Sequence, residues 1–187
     1  NNPTAAVGTV SGTSVSFGTP VVIDSSVVNS DSSICFDSSN NKVVVTFGHD
    51  GSKGVAYVGT VSGTSISFGS EVVFENAATV YTSATFDSTN NKVVIFYRDS
   101  GNSNYGTAIV GTVSGTSISF GTAVVFNSGN STYIHSSFDS SAGKVVAVYN
   151  DGGNSNHGTA IVGTVSGTSI SFGSEAVFAT TNSIYTD

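Results

Sequence analysis

Tyrosine recurs at fixed positions of this chain, and its ring and hydroxyl suit it to binding a sugar. Tyr81, Tyr133 and Tyr185 precede one predicted strand, and Tyr97 and Tyr149 end the next. A tyrosine ring can stack on the apolar face of a sugar while its hydroxyl forms hydrogen bonds. The pattern therefore predicts one shallow carbohydrate site in each repeat. Packing between neighbouring repeats is the alternative, because it also requires a repeated aromatic residue.

The longest polar loops follow the second predicted strand and concentrate oxygen-bearing side chains. They span residues 99–104 and 151–156, and the equivalent loop at 50–53 is shorter. Asp99 and Asp151 are candidate Ca²⁺ ligands, because Ca²⁺ takes oxygen ligands. The EF-hand spacing is absent, and a plain polar turn is the alternative. The asparagines of these loops are candidate ligand contacts: Asn102, Asn104, Asn154 and Asn156.

No set of residues in the sequence has the spacing of a catalytic site, so we expect the protein not to be an enzyme. The single cysteine, Cys35, aligns with Thr85 and Ser137 in the other repeats, which indicates a packing position. The three histidines are not equivalent to one another and show neither zinc-ligand nor catalytic-triad spacing. They are His49, His135 and His157.

An internal repeat organises the whole chain. The segment 7–14 returns at Val58, Val110 and Val162, which gives one copy every 51 or 52 residues. A second signature, Phe-Asp-Ser followed by Lys-Val-Val, recurs in the same register. Two signatures in constant register establish about three and a half copies of one unit.

Turn residues divide each copy into four predicted strands. In the central copy these are residues 82–87, 92–97, 107–113 and 117–126. The aspartate of each Phe-Asp-Ser is expected to start the first turn by accepting backbone hydrogen bonds: Asp37, Asp87 and Asp139. The class is therefore all-β, with four-stranded antiparallel repeats that we interpret as blades of a β-propeller. A trefoil or prism of repeated hairpins is the alternative.

The predicted organisation is one repeat domain over 1–187. It contains a half blade at 1–30, blades at 31–79, 80–130 and 131–180, and the start of another at 181–187. A closed propeller usually has at least four blades. We therefore expect self-association or pairing with the rest of a longer chain, as part of a larger or oligomeric propeller.

Composition excludes some partners and favours an extracellular setting. The net charge is −7 with five basic residues, too few for a nucleic-acid surface. No apolar run approaches the ~18 residues of a spanning helix, so membrane insertion is not expected. Charged residues are only 9% of the chain, against roughly 25% in an ordinary soluble domain. A neutral polar surface of this kind predicts an extracellular, cell-surface or virion-surface location.

The repeat resembles those of large secreted bacterial proteins and of phage- or virus-encoded tail-fibre or adhesin-type proteins. The resemblance rests on Ser-Ile-Ser-Phe-Gly-Ser-Glu-Val-Val-Phe, Phe-Asp-Ser-Thr-Asn-Asn-Lys-Val-Val-Ile-Phe-Tyr-Arg-Asp and Gly-Thr-Ala-Ile-Val-Gly-Thr-Val-Ser-Gly-Thr-Ser. It implies a propeller-like structural or adhesion role without a catalytic motif. Sialidase-type propellers differ, because this chain has no Trp for their Asp-box and Arg98 is its single Arg. The alternative function is a multivalent lectin that binds cell-surface glycans weakly at each blade and gains strength by avidity.

Overall fold

The computed structural model describes residues 2–26, 28–49 and 52–182, except for the side chains of 28–31 and 182. This part of the chain is all-β, as predicted, with one 3₁₀ turn at Gly152–Asn154. No helix within it is long and apolar enough to cross a membrane.

The strands fall into a half-unit (residues 2–26) and three units (28–75, 79–130 and 131–182). The half-unit contains β1 Thr4–Ala5, β2 Gly8–Ser11, β3 Ser14–Phe17 and β4 Val21–Val22. The first unit contains β5 Val28–Asp37, β6 Lys42–His49, β7 Lys53–Ser62, β8 Ser65–Phe68 and β9 Val72–Glu75. The second unit contains β10 Thr79–Asp87, β11 Lys92–Asp99, β12 Tyr105–Ser114, β13 Ser117–Phe120 and the first half of β14 Val124–Asp139. The third unit contains the second half of β14, then β15 Lys144–Asp151, β16 His157–Ser166, β17 Ser169–Phe172 and β18 Ala176–Asn182.

Within a unit the strands are antiparallel, and the predicted fourth strand is split in two. In the second unit β12 pairs with β11 on one edge. Its other edge pairs with β13 near its end and with β14 near its beginning. β14 changes partner from β12 to β15 between Asn130 and Ser131, which joins the second and third units through one strand.

The turn after the first long strand is built as the sequence predicts. The Asp87 carboxylate accepts the backbone N–H groups of Thr89 and Asn90 at 2.9 and 3.0 Å. Asn91 then adopts a left-handed φ of 54°. Asp37 and Asp139 accept the equivalent bonds in the other units. The recurrent aspartate therefore holds a turn.

The core lies between neighbouring units, whose sheets pack against one another. In β11, Val94 and Phe96 pack towards the third unit, whereas Val93 and Ile95 pack towards the first. Both faces of the strand are buried, which explains its continuous apolar run in place of strict alternation.

One glycine per unit allows the next unit to approach closely. A Cβ atom added to Gly69 would lie 1.9 Å from the carbonyl oxygen of Thr116, and one added to Gly121 would lie 2.0 Å from that of Thr168. At the equivalent Gly173, the nearest atom within the described residues is 3.8 Å away. Glycine is thus required wherever a following unit packs.

Within the described ranges, the sheets do not close into a barrel or a propeller ring. The structure thus establishes an all-β chain of stacked antiparallel repeats. The assignment of those repeats as propeller blades goes further and is taken up as a proposal below.

Candidate functional site

A tyrosine hydroxyl meets a carboxylate at each contact between neighbouring units. At the second junction, between the first and second units, Tyr97 donates to Glu75 at 3.1 Å. At the third junction, between the second and third units, Tyr149 donates to Glu175 of its own unit at 2.8 Å and accepts from the Asn127 amide of the second unit at 3.4 Å. The Asn127 amide also donates to the same Glu175 oxygen at 3.0 Å. The sequence places these partners more than 20 residues apart, so the fold creates the pairing.

The first junction, between the half-unit and the first unit, is the most densely charged. The Tyr57 hydroxyl donates to Asp24 Oδ2 and lies 3.3 Å from Glu71 Oε2. The same two oxygens face His49 Nε2 at 3.6 and 3.9 Å. Lys53 Nζ lies 2.5 Å from the other oxygen of Glu71. Four polar atoms therefore converge on one point, with an ammonium group beside it.

Two neighbouring strands position the tyrosine of the first junction. Tyr57 on β7 stacks on Phe47 of β6, with ring centroids 5.6 Å apart and planes inclined by 16°. In the second unit the equivalent positions carry Ile109 and Tyr97. The tyrosine has therefore moved from one strand to its neighbour, yet its hydroxyl still reaches the junction.

Burial and hydrogen bonding set the protonation states of these groups. Burial raises the pKa of Tyr97 far above its ordinary value, and the charge of Glu75 raises it further. Burial would also raise the pKa of Asp24, but hydrogen bonds from Tyr57 and Ser26 and the nearby His49 bring it below its usual value. Tyr97 thus acts as a neutral donor, and Asp24 accepts as an ionised carboxylate.

The tyrosines predicted to bind sugar occupy two different environments. The side chains of Tyr97 and Tyr149 are 0% exposed, so their rings are covered by the packing between units. Tyr81 and Tyr133 are half-buried and lie together, with centroids 5.2 Å apart, and Arg98 sits 4.9 Å above the Tyr81 ring. Both adopt left-handed φ angles at a β-bulge. Tyr185 lies outside the described residues.

The four loop asparagines predicted to contact a ligand also lie in two different environments. Asn154 lines a polar concavity of about 490 Å³ with Asn127, Asp151 and Glu175. The other three, Asn102, Asn104 and Asn156, shape their own loops. The Asn102 amide binds Asp99, and the last two adopt φ angles of 64° and 58°. The loop at residues 50 and 51 lies outside the described residues.

The two aspartates predicted to bind Ca²⁺ accept hydrogen bonds from their own loops. Asp99 Oδ1 accepts the backbone N–H groups of Gly101 and Asn102 at 2.9 and 3.1 Å. Asp151 Oδ1 accepts that of Gly153 at 2.9 Å. These bonds are those of the polar turn that was the alternative interpretation.

The described residues place a different trio at ligating distance of one another: Asp24, His49 and Glu71, with ligand atoms all within 4.8 Å. Sequence reasoning missed this group, because its members lie far apart and His49 has no motif around it. The signal was a departure from the repeat. His49 stands where the other units carry Asp99 and Asp151.

Comparison with protein-family models, with curated proteins and with solved structures gave no significant match to this chain. The repeat resemblance is therefore neither supported nor opposed by a relative.

Proposed function

We propose that this chain is a non-enzymatic structural and adhesion module of an extracellular fibre- or tail-type protein, whose units stack as propeller-like blades. The observation that carries the proposal is how the recurrent side chains are used. The tyrosines at the ends of the second strands, the Phe-Asp-Ser aspartates and the close-approach glycines all hold turns or join one unit to the next.

The outer face of the third unit favours further stacking. Phe178 is 58% exposed there, whereas its equivalent Phe126 is 7% exposed between units. Val162 is likewise exposed, whereas its equivalent Val110 is fully buried. Large apolar side chains in a contiguous exposed set mark interaction surfaces.

The opposite face, on the half-unit, supplies the complementary half of the same contact. Phe17 is 69% exposed, and its equivalent Phe172 packs with Phe126 at a centroid distance of 5.8 Å. Phe178 of one copy meeting Phe17 of a second copy would repeat that pair. Head-to-tail contact of this kind produces rings or filaments.

Sedimentation velocity over a range of concentrations tests the proposal. We expect the mean mass of the tag-free chain to rise with concentration, and the Phe178→Ser and Phe17→Ser variants to remain monomeric. Val125→Ser is the matched control, because Val125 is exposed within the stack and has no role at either end face. A monomeric wild-type chain at several hundred micromolar contradicts self-association.

A multivalent lectin is the second candidate, favoured by two observations. Tyr81 and Tyr133 form an aromatic pair from successive units. The polar concavity beside Asn154 offers amide and carboxylate groups for sugar hydroxyls. Ring stacking combined with polar hydrogen bonding is the chemistry that a glycan requires.

A glycan array with the wild-type chain tests this candidate. Binding that falls at least tenfold in Tyr133→Ala but persists in Tyr105→Ala would support a site at the tyrosine pair. Retained binding in Tyr133→Ala together with loss in Asn154→Ala would place the site at the concavity. Absence of binding to any glycan at high protein concentration would remove the lectin from consideration.

A further inference from the structure

We propose that Asp24, His49 and Glu71 form a binding site for a transition-type divalent metal ion, Zn²⁺ above all, at the first junction. The proposal does not depend on the function proposed above, because it rests on the ligand atoms alone. A head-to-tail array, a lectin or neither could carry the site.

The separations of the ligand atoms fit a small ion with little adjustment. Zn²⁺ binds nitrogen and oxygen at about 2.0–2.2 Å, which in a tetrahedron places ligand atoms roughly 3.4 Å apart. His49 Nε2 lies 3.6 Å from Asp24 Oδ2 and 3.9 Å from Glu71 Oε2. The two separations from the imidazole therefore need to shorten by only a few tenths of an ångström, and all three ligand atoms lie within 4.8 Å of one another.

The donor types select the metal. Imidazole nitrogen and carboxylate oxygen are both ligands of Zn²⁺, and three protein ligands leave a fourth position open. Ca²⁺ takes six to eight oxygen ligands, and Mg²⁺ requires near-ideal octahedral oxygen geometry. A histidine in the centre of the group disfavours both, so a borderline ion such as Zn²⁺ fits best.

The site is accessible to an ion yet held in place. The three side chains are 12% (Asp24), 16% (His49) and 27% (Glu71) exposed, so solvent reaches the cluster. The Tyr57 hydroxyl contacts both carboxylate oxygens that face the imidazole and orients them. Lys53 on Glu71 Oε1 leaves Oε2 for the metal, while its positive charge lowers the affinity somewhat.

The group is peculiar to the first junction. At the second junction Ala123 stands in place of Glu71, and Asp99 stands in place of His49. The other junctions therefore lack an imidazole at this position. A metal here would join the half-unit, through Asp24, to the first unit, through His49 and Glu71. No strand pairing joins these two regions within the described residues.

The test is metal binding by the tag-free chain after treatment with a chelator. We expect one Zn²⁺ per chain in isothermal titration and in elemental analysis after gel filtration. Co²⁺ should give the visible absorption bands of a low-coordinate site. His49→Ala and Asp24→Asn should each weaken binding at least tenfold, while His135→Ala, which removes an exposed histidine elsewhere, should leave it unchanged.

A folding control keeps the result decisive. Zn²⁺ should raise the melting temperature of the wild-type chain and of His135→Ala, but not that of His49→Ala, whose far-UV circular dichroism should remain that of a β protein. Lys53→Gln should tighten binding by severalfold, because it removes a competing cation. Absence of Zn²⁺ binding by the wild-type chain, or binding that survives His49→Ala, overturns the proposal.

Discussion

The first and second junctions meet the same demand, a carboxylate between two packed units, in opposite ways. At the second junction Glu75 receives one neutral donor, the Tyr97 hydroxyl. At the first junction two carboxylates are surrounded by Tyr57, His49 and Lys53. A neutral donor gives a contact that depends on one hydroxyl, whereas the ionic group spreads the same task over several partners. The second junction should therefore be the more sensitive to single substitutions.

The substitution with the largest expected effect is Gly69→Ala, which disrupts a backbone contact at the second junction. In Gly69→Ala the new methyl group would lie 1.9 Å from the Thr116 carbonyl oxygen, so the two units must separate. We expect a loss of about 3 kcal/mol in the free energy of unfolding, measured by urea denaturation, because overpacking at an unyielding contact costs this much. Gly173→Ala occupies the same place in the repeat with its nearest neighbour 3.8 Å away. It should stay within about 0.5 kcal/mol of wild type. Equal losses in both variants would show that packing of the following unit is not the cause.

Removal of the two hydroxyls compares the junctions directly. Tyr97→Phe leaves the half-buried Glu75 without its tyrosine donor and should cost about 1–2 kcal/mol, because hydrogen bonds to charged groups are the stronger class. Tyr57→Phe should cost less than about 1 kcal/mol, because Asp24 retains the Ser26 amide and Glu71 retains Lys53. Denaturant unfolding of both variants measures the difference between their free energies of unfolding. Glu75→Gln, alone and combined with Tyr97→Phe, completes a double-mutant cycle. The reverse order of losses would refute the proposed contrast.

High pH should destabilise the second and third junctions by ionising their buried tyrosines, Tyr97 and Tyr149. Burial, followed by the charge of Glu75 or hydrogen bonding to Glu175, raises the pKa of Tyr97 and Tyr149 well above the ordinary value of about 10. Each therefore contributes stability that is full below about pH 10 and is lost as the pH rises through the raised value. The slope is about 1.4 kcal/mol per pH unit per tyrosine. Absorbance at 295 nm should show these two ionising only in a cooperative unfolding step, and Tyr97→Phe should reduce the amplitude of that step. Gradual ionisation of all tyrosines near pH 10 would argue against buried hydroxyls.

The smallest effect concerns the apolar side of the second junction. Burial raises the pKa of the Cys35 thiol to about 12, so the thiolate is scarce at pH 8. Alkylation by iodoacetamide should be at least a hundredfold slower in the folded chain than in urea. Cys35→Thr should change stability by less than about 1 kcal/mol, because Thr85 occupies the equivalent position in the next unit. Rapid alkylation of the folded chain would indicate that the strand opens.

The strands were predictable because their signals are local. The apolar run after Lys92 and the Asx turn at Asp87 lie within a few residues of each other, and the structure has both. The break in the fourth strand was not predictable from alternation alone. The same break occurs at Gly121, which packs on the next unit, and at Gly173, which does not. At both positions the glycine N–H donates to a carbonyl of the third strand, that of Val110 or Val162. The side-chain cluster at the first junction was not predictable either, because its members are distant in sequence. Asp24, His49 and Glu71 meet only when two units stack. Two of these three residue types do not recur at the equivalent positions of the second unit, which carry Asp99 and Ala123, so the repeat pattern does not reveal the group.

The close-approach glycine has a consequence for how such chains evolve. The contact consists of a missing side chain on one unit and a backbone carbonyl on the next, so it does not depend on the identity of neighbouring side chains. A duplicated copy would therefore already have this contact with its neighbour. Addition or removal of whole units would therefore leave this backbone contact, and the spacing that it sets, unchanged. Side chains such as His49 are then free to diverge and acquire chemistry in one copy alone.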